Sequence, residues 1–517
     1  MAVSIVIAFT FCVLYLVHFY WKVSKYPKGP IPWPIIGNLA QLPSDNFHVY
    51  LDELSKVYGP CYTIWIPLPH VVLTDYEHYK DAIVTKGDTF NYRSHRVPES
   101  LLHEHEGTGI GMSDGENWKI QRRTCLKILR DFGMGKQLME QNVLKSAQEM
   151  LNHLEALNDH QHVDLFWPIQ LCVGNVINEL LFGYQYSHTD MKKFQHFVEV
   201  IGDHLSQMYG KCTSLIGAFP WMKYLPGIGE IGYHRIKRNI DTYQKFIEEE
   251  VAVQIKEYDG VSEPENFVHA YLEQASKSEV DSLDTKNLVA NVVDFWMAGM
   301  ETTSTALRWY FAYMLKYPDV QDKVRKEIQK HIGSSRLPSV ADKVNMPYTQ
   351  AVIHEVQRHS NMGPFLGSHV CHEDTDILGH QIPAETSIFP QIWSILRHDP
   401  VFKDPTAFNP ERCLMEDGKT FNKTVLERTI PFSIGRRNCV GESLARMELF
   451  LISTTLLQKY ELVATSEVDL TPEWGGVLTV KPYKCRFVKT SVAFGLFTCF
   501  LFYSKKPESG LQVHLLL

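Results

Sequence analysis

Apolar and polar positions follow a helical period through most of the chain. Between about residues 115 and 360, apolar side chains return every three or four positions and strand-like runs are few, which predicts a succession of amphipathic helices. One long helical pattern covers about 288–315 and is stopped by Pro318, since proline cannot continue a helix interior. The centre of the chain is therefore predicted to be helical.

Short extended runs lie on both sides of this helical region. Residues 61–66 and 70–74 are joined by a Pro-Leu-Pro link, which predicts a β-hairpin. Extended segments return around 369–388 and 476–488, and 480–488 has the pattern of a closing strand. We therefore expect a mainly α-helical body with small β-sheets.

The first 21 residues contain no Asp, Glu, Lys or Arg and are rich in Val, Ile, Phe, Leu and Tyr. About twenty apolar residues suffice to span a bilayer as a helix. Lys22, Lys25 and Lys28 follow at once, which places the rest of the chain in the cytosol by the positive-inside rule. Residues 1–21 are thus predicted to be an uncleaved membrane anchor, with a buried core helix as the alternative.

Composition and proline content suggest how the remaining chain divides. Residues 22–40 are expected to form a basic, proline-rich linker, 41–490 a single large domain, and 491–517 a tail that begins with a fresh uncharged run. That run of about thirteen residues is too short to span a bilayer comfortably. The tail could be an interfacial segment, an extra buried strand, or a segment with no role.

Charge and cysteine usage exclude some classes of function. The net charge of −8 gives no reason to expect nucleic acid as a partner. The ten cysteines are scattered without a CxxC pair, which argues against a disulfide framework or zinc ribbon and indicates a reducing compartment.

The most informative motif is Phe-x-x-Gly-x-Arg-x-Cys-x-Gly, formed by Phe432, Gly435, Arg437, Cys439 and Gly441. A helical pattern follows over 442–450, so the cysteine lies at or just before a helix N-terminus, where the helix dipole favours the thiolate. The glycines permit a tight turn and a close backbone approach. The segment is predicted to present one sulfur from a loop.

This loop resembles the haem-thiolate loop of the cytochrome P450 family. The resemblance covers about 30–490, with the family's motifs in order, and implies the cytochrome P450 fold with haem b between a long distal helix and the cysteine loop. It implies that Cys439 binds the haem iron. It also implies that Phe432, Gly435, Arg437 and Gly441 line the haem.

The pattern Ala298-Gly-Met-Glu301-Thr302-Thr lies inside the long helical segment. A glycine in a helix interior indicates either close packing or room for a ligand, and threonines can bond back to a carbonyl one turn earlier. The resemblance implies that Thr302 hydrogen-bonds dioxygen or its attendant water. It also implies that Glu301 belongs to a proton relay.

Three further motifs match the family. Glu355 and Arg358 are spaced to share a helix face, and the resemblance implies that they form a buried structural network with Arg412. It further implies that haem propionates are bound by four residues, namely Trp118, Arg122, His369 and Arg437.

Lys119, Arg123, Lys127 and Arg130 recur on one face of the predicted helix that carries Trp118. Such stripes are usually solvated faces, but in this family the stripe would dock an acidic flavoprotein reductase. The resemblance therefore implies electrons from NADPH through cytochrome P450 reductase, with cytochrome b5 as another candidate partner. With the membrane anchor, it places the protein at the endoplasmic reticulum, in contact with lipid.

We therefore expect a monooxygenase that inserts one atom of O2 into an apolar xenobiotic, fatty acid or steroid. A peroxide-rearranging haem-thiolate isomerase and a non-catalytic haem-binding protein are the alternatives. The candidate pocket draws on segments 97–112 and 362–367, and Phe295 and Phe365 suggest an apolar ligand. The specific pocket candidates are Asp294, Phe295, Met297, Ala298, Phe365, Val477 and Leu478.

Overall fold

The computed structural model describes residues 1–489 except 44–45, 133–136, 209, 366 and 368. Helices dominate it, as the apolar periodicity predicts. They are α1 (Ala2–Val23), α2 (Phe47–Tyr58), α3 (Tyr76–Lys80), α4 (Gly109–Met112), α5 (Gly115–Asp131), α6 (Gln137–Glu155), α7 (Phe166–Phe182), α8 (Lys192–Gln207), α9 (Lys211–Ala218), α10 (Arg235–Glu257), α11 (Phe267–Ser276), α12 (Thr285–Lys316), α13 (Pro318–His331), α14 (Pro347–Ser360), α15 (Ile392–His398), α16 (Lys423–Arg428) and α17 (Glu442–Lys459).

The strands are short and form small sheets. They are β1 (Cys61–Ile66), β2 (Leu68–Leu73), β3 (His369–Val370), β4 (Thr375–Ile377), β5 (His380–Ile382), β6 (Ser387–Pro390), β7 (Tyr460–Ala464), β8 (Glu473–Trp474), β9 (Leu478–Thr479) and β10 (Cys485–Lys489). The prediction of a mainly α-helical fold with small sheets is confirmed.

One four-stranded sheet has the order β1-β2-β6-β3. The predicted hairpin is its antiparallel β1–β2 pair, with Ile64 opposite His70, and β2 then pairs in parallel with β6. The hairpin prediction is confirmed, although β2 begins at Leu68, two residues earlier than expected. The sheet brings residues near 70 beside residues near 388.

The main core gathers α6, α7, α10, α12 and α17. α17 is buried on every side from Met447 to Leu457, so its sequence lacks the amphipathic period of a surface helix. α12 packs against α7, α17 and α14. A second core lies between the four-stranded sheet, α3 and α15. The long central helix α12 thus passes through the middle of the helical body.

The N-terminal helix stands apart from both cores. Its segment Val3–Val23 has a mean hydropathy of 2.2, and none of it is buried, so the alternative of a buried core helix is wrong. Its last turns touch the body, where the Phe19 ring lies 5.7 Å from that of Trp65. The helix is long and apolar enough to cross a membrane.

Two predictions about the C-terminal part have different outcomes. The closing strand expected over 480–488 is shorter, because only Cys485–Lys489 pairs with β7, and residues 481–484 form irregular structure. The predicted tail, 491–517, lies outside the described residues.

Candidate functional site

The 432–441 loop folds back on itself between two hydrogen bonds. The backbone N–H of Cys439 donates to the carbonyl of Phe432 at 2.9 Å, and that of Asn438 donates to Gly435 at 3.3 Å. Gly435 has φ of +76°, and a Cβ there would lie 2.4 Å from the carbonyl oxygen of Ile83. Only glycine fits this turn without displacing backbone.

Cys439 precedes α17, which begins at Glu442 with Gly441 as its N-cap. Burial raises the pKa of the Cys439 thiol, while the backbone N–H groups of Gly441 and Glu442 act to lower it. The N–H groups at the helix end thus favour the thiolate, while desolvation of the sulfur opposes them and raises the pKa overall. Cys439 nevertheless keeps accessible surface.

Arg122 and Trp118 reach this loop from α5. The Arg122 guanidinium donates to the Asn438 carbonyl at 3.0 Å and to its side-chain oxygen at 2.6 Å. The Arg437 guanidinium lies over the Trp118 ring, 4.2 Å from its centroid. The motif on α5 and the cysteine loop thus form one cluster, as their spacing on a single helix predicts for Trp118 and Arg122.

A third arginine, Arg93, completes the cluster. Burial, together with the charges of Arg93 and Arg122, lowers the pKa of Arg437 to about 8, although Asp114 acts to raise it. Burial and the Arg93 charge also hold the pKa of His369 well below its usual range. Asp114, 3.3 Å from Arg437, offsets part of this partly buried positive charge, and a further anion would offset more of it.

Two buried donors in the cluster have no partner among the described residues, the Trp118 indole N–H and Nη1 of Arg437. Unpaired buried donors are rare and call for a specific ligand. An anion with several acceptor oxygens fits them, and carboxylates bind guanidinium groups well. The residues present therefore fit the propionate edge of a haem. His369 contributes no free donor at Nδ1, which contacts the Phe90 carbonyl at 2.9 Å.

On α12 the Thr302 hydroxyl donates to the Ala298 carbonyl at 2.7 Å, the back-bonding predicted for a helical threonine. Ala298 is exposed in the middle of a long helix and lies one turn from Thr302. A Cβ on Gly299 would lie 2.6 Å from Cδ1 of Ile177. Of the two readings of this glycine, close packing against α7 is the one observed.

Glu301 points away from the Thr302 hydroxyl contact. Its carboxylate accepts from Gln170 at 2.9 Å and from Thr305 at 3.2 Å, and lies 3.6 Å from Arg308. The side chain is 14% exposed. Three polar neighbours therefore hold this carboxylate between α7 and α12.

Glu355, Arg358 and Arg412 form a buried network. Arg358 donates twice to Glu355, at 2.8 Å each, and Arg412 donates to Oε1 of Glu355 at 3.0 Å. Arg358 also donates to the Leu396 carbonyl at 3.0 Å. Cys413, which stands where the family often has Phe, is buried beside this network. The network joins α14 to the segment before α16.

Several predicted pocket residues on α12 are occupied by protein contacts. Asp294 accepts from His103 at 2.9 Å and from the Gly111 N–H at 2.8 Å. The Phe295 ring packs edge-on against Phe267, 5.2 Å away. Met297 is half-buried against the main core. Asp294 thus holds the 103–111 segment against α12.

The other pocket candidates come together near β6 and β9. The Phe365 ring lies 4.7 Å from Phe389 and 6.0 Å from Trp474. Leu478 donates its N–H to the Met362 carbonyl at 2.7 Å, and Val477 beside it is half-buried. The 362–365 and 477–478 segments are therefore neighbours, as the predicted pocket requires.

The basic stripe of Lys119, Arg123, Lys127 and Arg130 is exposed along α5. Two of its members make single contacts, Lys119 with Glu116 at 3.2 Å and Lys127 with the Gln274 side chain at 2.7 Å. Its opposite face carries Trp118 into the cluster beside Arg437. The stripe is therefore the exposed face of a helix whose opposite face packs against the cysteine loop.

Sequence reasoning missed Arg93 and Gln170, and it included His103 only as an unnamed member of the 97–112 segment. Each lies outside any recognised motif, and each contacts a predicted site residue far away in sequence. No local spacing signals such contacts. Such contacts are visible only once the fold is known.

Comparison with known proteins decides the family. The cytochrome P450 family model matches residues 27–487. The chain belongs to the cytochrome P450 family. It is similar to "Cytochrome P450 2C23" of Rattus norvegicus, 36% identical over 469 residues, which cover 89% of this chain and 92% of that protein.

Two other relatives are similarly distant. "Cytochrome P450 2G1" of Oryctolagus cuniculus is 35% identical over 470 residues, covering 89% of this chain and 92% of the relative. "Cytochrome P450 2B19" of Mus musculus is 35% identical over 476 residues, covering 90% and 94%. As a cytochrome P450, the protein is a haem-dependent monooxygenase, and the cluster around Cys439 and Arg437 is its candidate haem site.

Proposed function

We propose that this cytochrome P450 inserts one atom of O2 into an apolar organic substrate, a xenobiotic, fatty acid or steroid, with electrons from NADPH delivered by a reductase. The observation that carries the proposal is the placing of one accessible sulfur, at Cys439, beside a buried cationic cluster with unpaired donors. Haem bound there supplies the activation of O2, and a thiolate ligand assists cleavage of the O–O bond.

Cys439 is the proposed iron ligand, presented by the turn at Gly435 and flanked by Phe432 and Gly441. The N–H groups at the start of α17 point at the sulfur, so they stabilise negative charge on it. The positive charge of Arg122 also favours a negative charge on the sulfur, since Arg122 and Cys439 interact electrostatically. These groups hold the sulfur deprotonated once a metal replaces its proton.

The propionates are proposed to bind Arg437, Arg122 and Arg93, together with Trp118 and His369. Trp118 and Arg437 offer the unpaired donors. Arg122 now donates to Asn438, and that bond can be shared with a carboxylate because guanidinium has five N–H donors. Partial neutralisation of three arginines stabilises the whole loop.

Thr302 is proposed to orient dioxygen or its attendant water, and Glu301 to supply protons. The Thr302 hydroxyl is both donor and acceptor: it keeps its contact with Ala298 as donor or turns away to donate elsewhere. Glu301 lies one residue away, with Arg308 and Gln170 fixing its carboxylate. A proton held at Glu301 would reach Thr302 through a short rearrangement of this carboxylate.

Glu355, Arg358 and Arg412 are proposed to be scaffolding for the cysteine loop, with no part in the chemistry. Of the pocket candidates, Ala298, Phe365, Val477 and Leu478 are proposed to contact substrate. Asp294 is proposed to act by holding the 103–111 segment, because both of its oxygens are already bonded.

Electrons are proposed to arrive from an acidic reductase domain docked on the Lys119–Arg130 stripe, with cytochrome b5 as a second partner. Opposite charges steer such encounters. We further propose an endoplasmic-reticulum location with residues 1–21 as anchor, 22–40 as linker and 41–490 as the cytosolic catalytic domain. The exposed apolar helix α1 supports the anchor.

The test is a reconstituted assay of the full chain with reductase, NADPH and a panel of fatty acids, steroids and drugs, read by mass spectrometry under ¹⁸O2. A monooxygenase gives a product with one ¹⁸O, dependent on NADPH and reductase. A peroxide isomerase converts hydroperoxides without either, and a non-catalytic haem protein gives no product. The relay residues Glu301 and Thr302 favour the first outcome.

A further inference from the structure

A cavity of about 340 Å³ lies beside the four-stranded sheet. Its wall includes strand residues Leu68 and Phe389, the loop of residues 93–99, and the start of α9. Arg93 belongs both to this wall and to the cationic cluster around Arg437. The cavity therefore borders the candidate haem site.

α9 rests directly on the 93–99 loop. A Cβ on Gly217 would lie 2.4 Å from the carbonyl oxygen of Val97, so the two backbones are in contact and no larger residue fits between them. This packing brings Arg96 and Lys211, which are 115 positions apart in the chain, to the wall of the same cavity.

Both cations lack an acidic partner within the described residues. Lys211 donates to the Leu42 carbonyl at 2.9 Å. Arg96 engages only through its backbone, with the Ser94 hydroxyl and the Ser100 N–H, and its guanidinium group has no hydrogen-bond or ion-pair partner there. Two exposed cations at one cavity are thus available to a ligand.

The remaining ionisable groups do not cancel this charge. Burial lowers the pKa of His48 to about 4 and lowers that of His70, helped in the second case by the Arg96 charge, so both rings are neutral. His95 is held by Asp114 at 2.6 Å.

Two carboxylates, Glu99 and Glu385, also line the cavity. Burial lowers the pKa of Arg93, and the negative charge of Glu99 acts to raise it, so Glu99 interacts with Arg93. That leaves Arg96 and Lys211 against Glu385 alone. The cavity carries a net positive charge.

The rest of the wall is apolar and aromatic. Phe389 and Trp474 line the cavity. Both rings contact that of Phe365 in a tilted arrangement, with ring centroids 4.7 and 6.0 Å apart. An apolar surface therefore runs from the cationic side of the cavity to a residue proposed above to contact substrate. A ligand that matches it has an apolar body and an anionic end.

We propose that this enzyme selects apolar substrates carrying a carboxylate, and that Arg96 is the specificity-determining residue that binds the carboxylate, with Lys211 adding charge. A guanidinium group binds a carboxylate through two parallel N–H···O bonds, which Lys cannot reproduce. This inference rests on the proposed monooxygenase function and narrows its substrate class to organic acids of fatty-acid type.

The test is equilibrium binding to the haem-loaded full chain in detergent, without reductase, followed by the shift in the haem absorption spectrum. The probes are dodecanoic acid, methyl dodecanoate and dodecyltrimethylammonium, each below its micelle concentration. We expect the acid to bind about fivefold more tightly than the ester, the size of effect that a partly exposed ion pair gives, and the ammonium compound to bind weakest.

Arg96→Glu should remove the preference for the acid, and Arg96→Lys should keep part of it. Arg486→Glu is the matched control, because Arg486 is an exposed arginine on β10 outside the cavity wall. This variant should prefer the acid over the ester as strongly as the parent protein does. Equal affinity of the parent protein for acid and ester, or an unchanged preference in Arg96→Glu, overturns the proposal. If the carboxylate proposal fails, reductase-dependent oxidation of a neutral substrate by the same preparation would show that the monooxygenase proposal still holds.

Discussion

The guanidinium group of Arg437 stacks on the indole ring of Trp118, 4.2 Å from the ring centroid, while a donor of each side chain is buried and has no partner among the residues that the structure describes. A cation over an aromatic face is stabilised by the ring quadrupole, but that contact satisfies neither N–H. The pair is therefore preorganised for an acidic ligand on its open side. It links α5, which carries the basic stripe, to the loop that carries Cys439.

Replacing Trp118 with Phe tests this relationship. Trp118→Phe keeps an aromatic face for Arg437 and removes only the indole N–H. We expect haem to leave the variant about tenfold faster, since a hydrogen bond to a charged group contributes about 1.5 kcal/mol or more. Transfer of haem to apomyoglobin measures the rate.

Trp296→Phe is the matched control for this change. The Trp296 indole is also buried, on α12, and its N–H also lacks a partner, but it packs among Phe194 and Phe197 in the main core. Its haem loss should match that of the parent. Equal loss rates for Trp118→Phe and the parent would show that the Trp118 N–H does not bind the haem.

Cys439→Ser should abolish the red-shifted carbon-monoxide band of the reduced protein, because an alcohol oxygen does not replace thiolate as the iron ligand. The measurement is the carbon-monoxide difference spectrum. Cys212→Ser is the control, since Cys212 is a partly exposed cysteine on α9, and its band should be intact. A Cys439→Ser protein that keeps the band would refute the ligand assignment.

Much of this site was predictable from sequence because its signals are local. The spacing from Phe432 to Gly441 and the one-turn separation of Trp118 and Arg122 are set by a loop and a helix, and the structure keeps both. The buried contacts of Glu355 with Arg358 follow from the same helical geometry. Fold class followed from periodicity, which depends only on neighbouring positions.

What could not be predicted depends on tertiary packing. Arg93 acts on Arg437 across more than three hundred positions, and His103 bonds Asp294 across 191. The surroundings of the Cys439 thiol show the same limit: the helix end that favours the thiolate is visible in sequence, whereas the burial that opposes it is not. Lengths of the strands near the C-terminus were also overestimated, since pairing partners set them.

Thr302→Ala should uncouple electron use from product formation, with more peroxide per NADPH and normal haem content, because the variant lacks the hydroxyl that we propose orients dioxygen or water. Peroxide, NADPH and product are measured together. Ser304→Ala is the control: the Ser304 hydroxyl makes the same type of bond, to the Met300 carbonyl at 2.7 Å, but is fully buried. Unchanged coupling in Thr302→Ala would remove Thr302 from the relay.

Glu355→Ala should unfold the domain or lower its free energy of unfolding by about 3–5 kcal/mol, because it leaves two buried arginines without their carboxylate. Arg358 and Glu355 are 1% and 0% exposed. Chemical denaturation and haem yield measure the loss. Asp342→Ala breaks the more exposed pair with Arg336 and should cost under about 1 kcal/mol; equal costs for the two variants would contradict the structural importance of the buried network.

The His103–Asp294 pair predicts a pH dependence of stability. Burial lowers the pKa of His103, but the charge of Asp294 and its hydrogen bond outweigh burial, so the pKa is raised overall. A group whose pKa is higher in the folded state contributes its full stabilisation below its unfolded value of about 6.5 and loses it as pH rises through the folded value. The melting temperature of the parent protein should therefore decrease as the pH rises from slightly acidic to alkaline.

Asp294→Asn removes the negative charge beside the His103 ring. The part of the pH dependence that comes from this pair should therefore disappear. The 103–111 segment should also become more accessible to hydrogen exchange above neutral pH in the parent, because the neutral imidazole holds Asp294 less strongly. Asp284→Asn serves as the control: Asp284 caps the start of the same helix through the Asn287 N–H at 2.8 Å and has no histidine partner among the described residues. If the parent and Asp294→Asn proteins show the same slope of melting temperature against pH, this pair does not set it, and the slope must come from the other buried histidines.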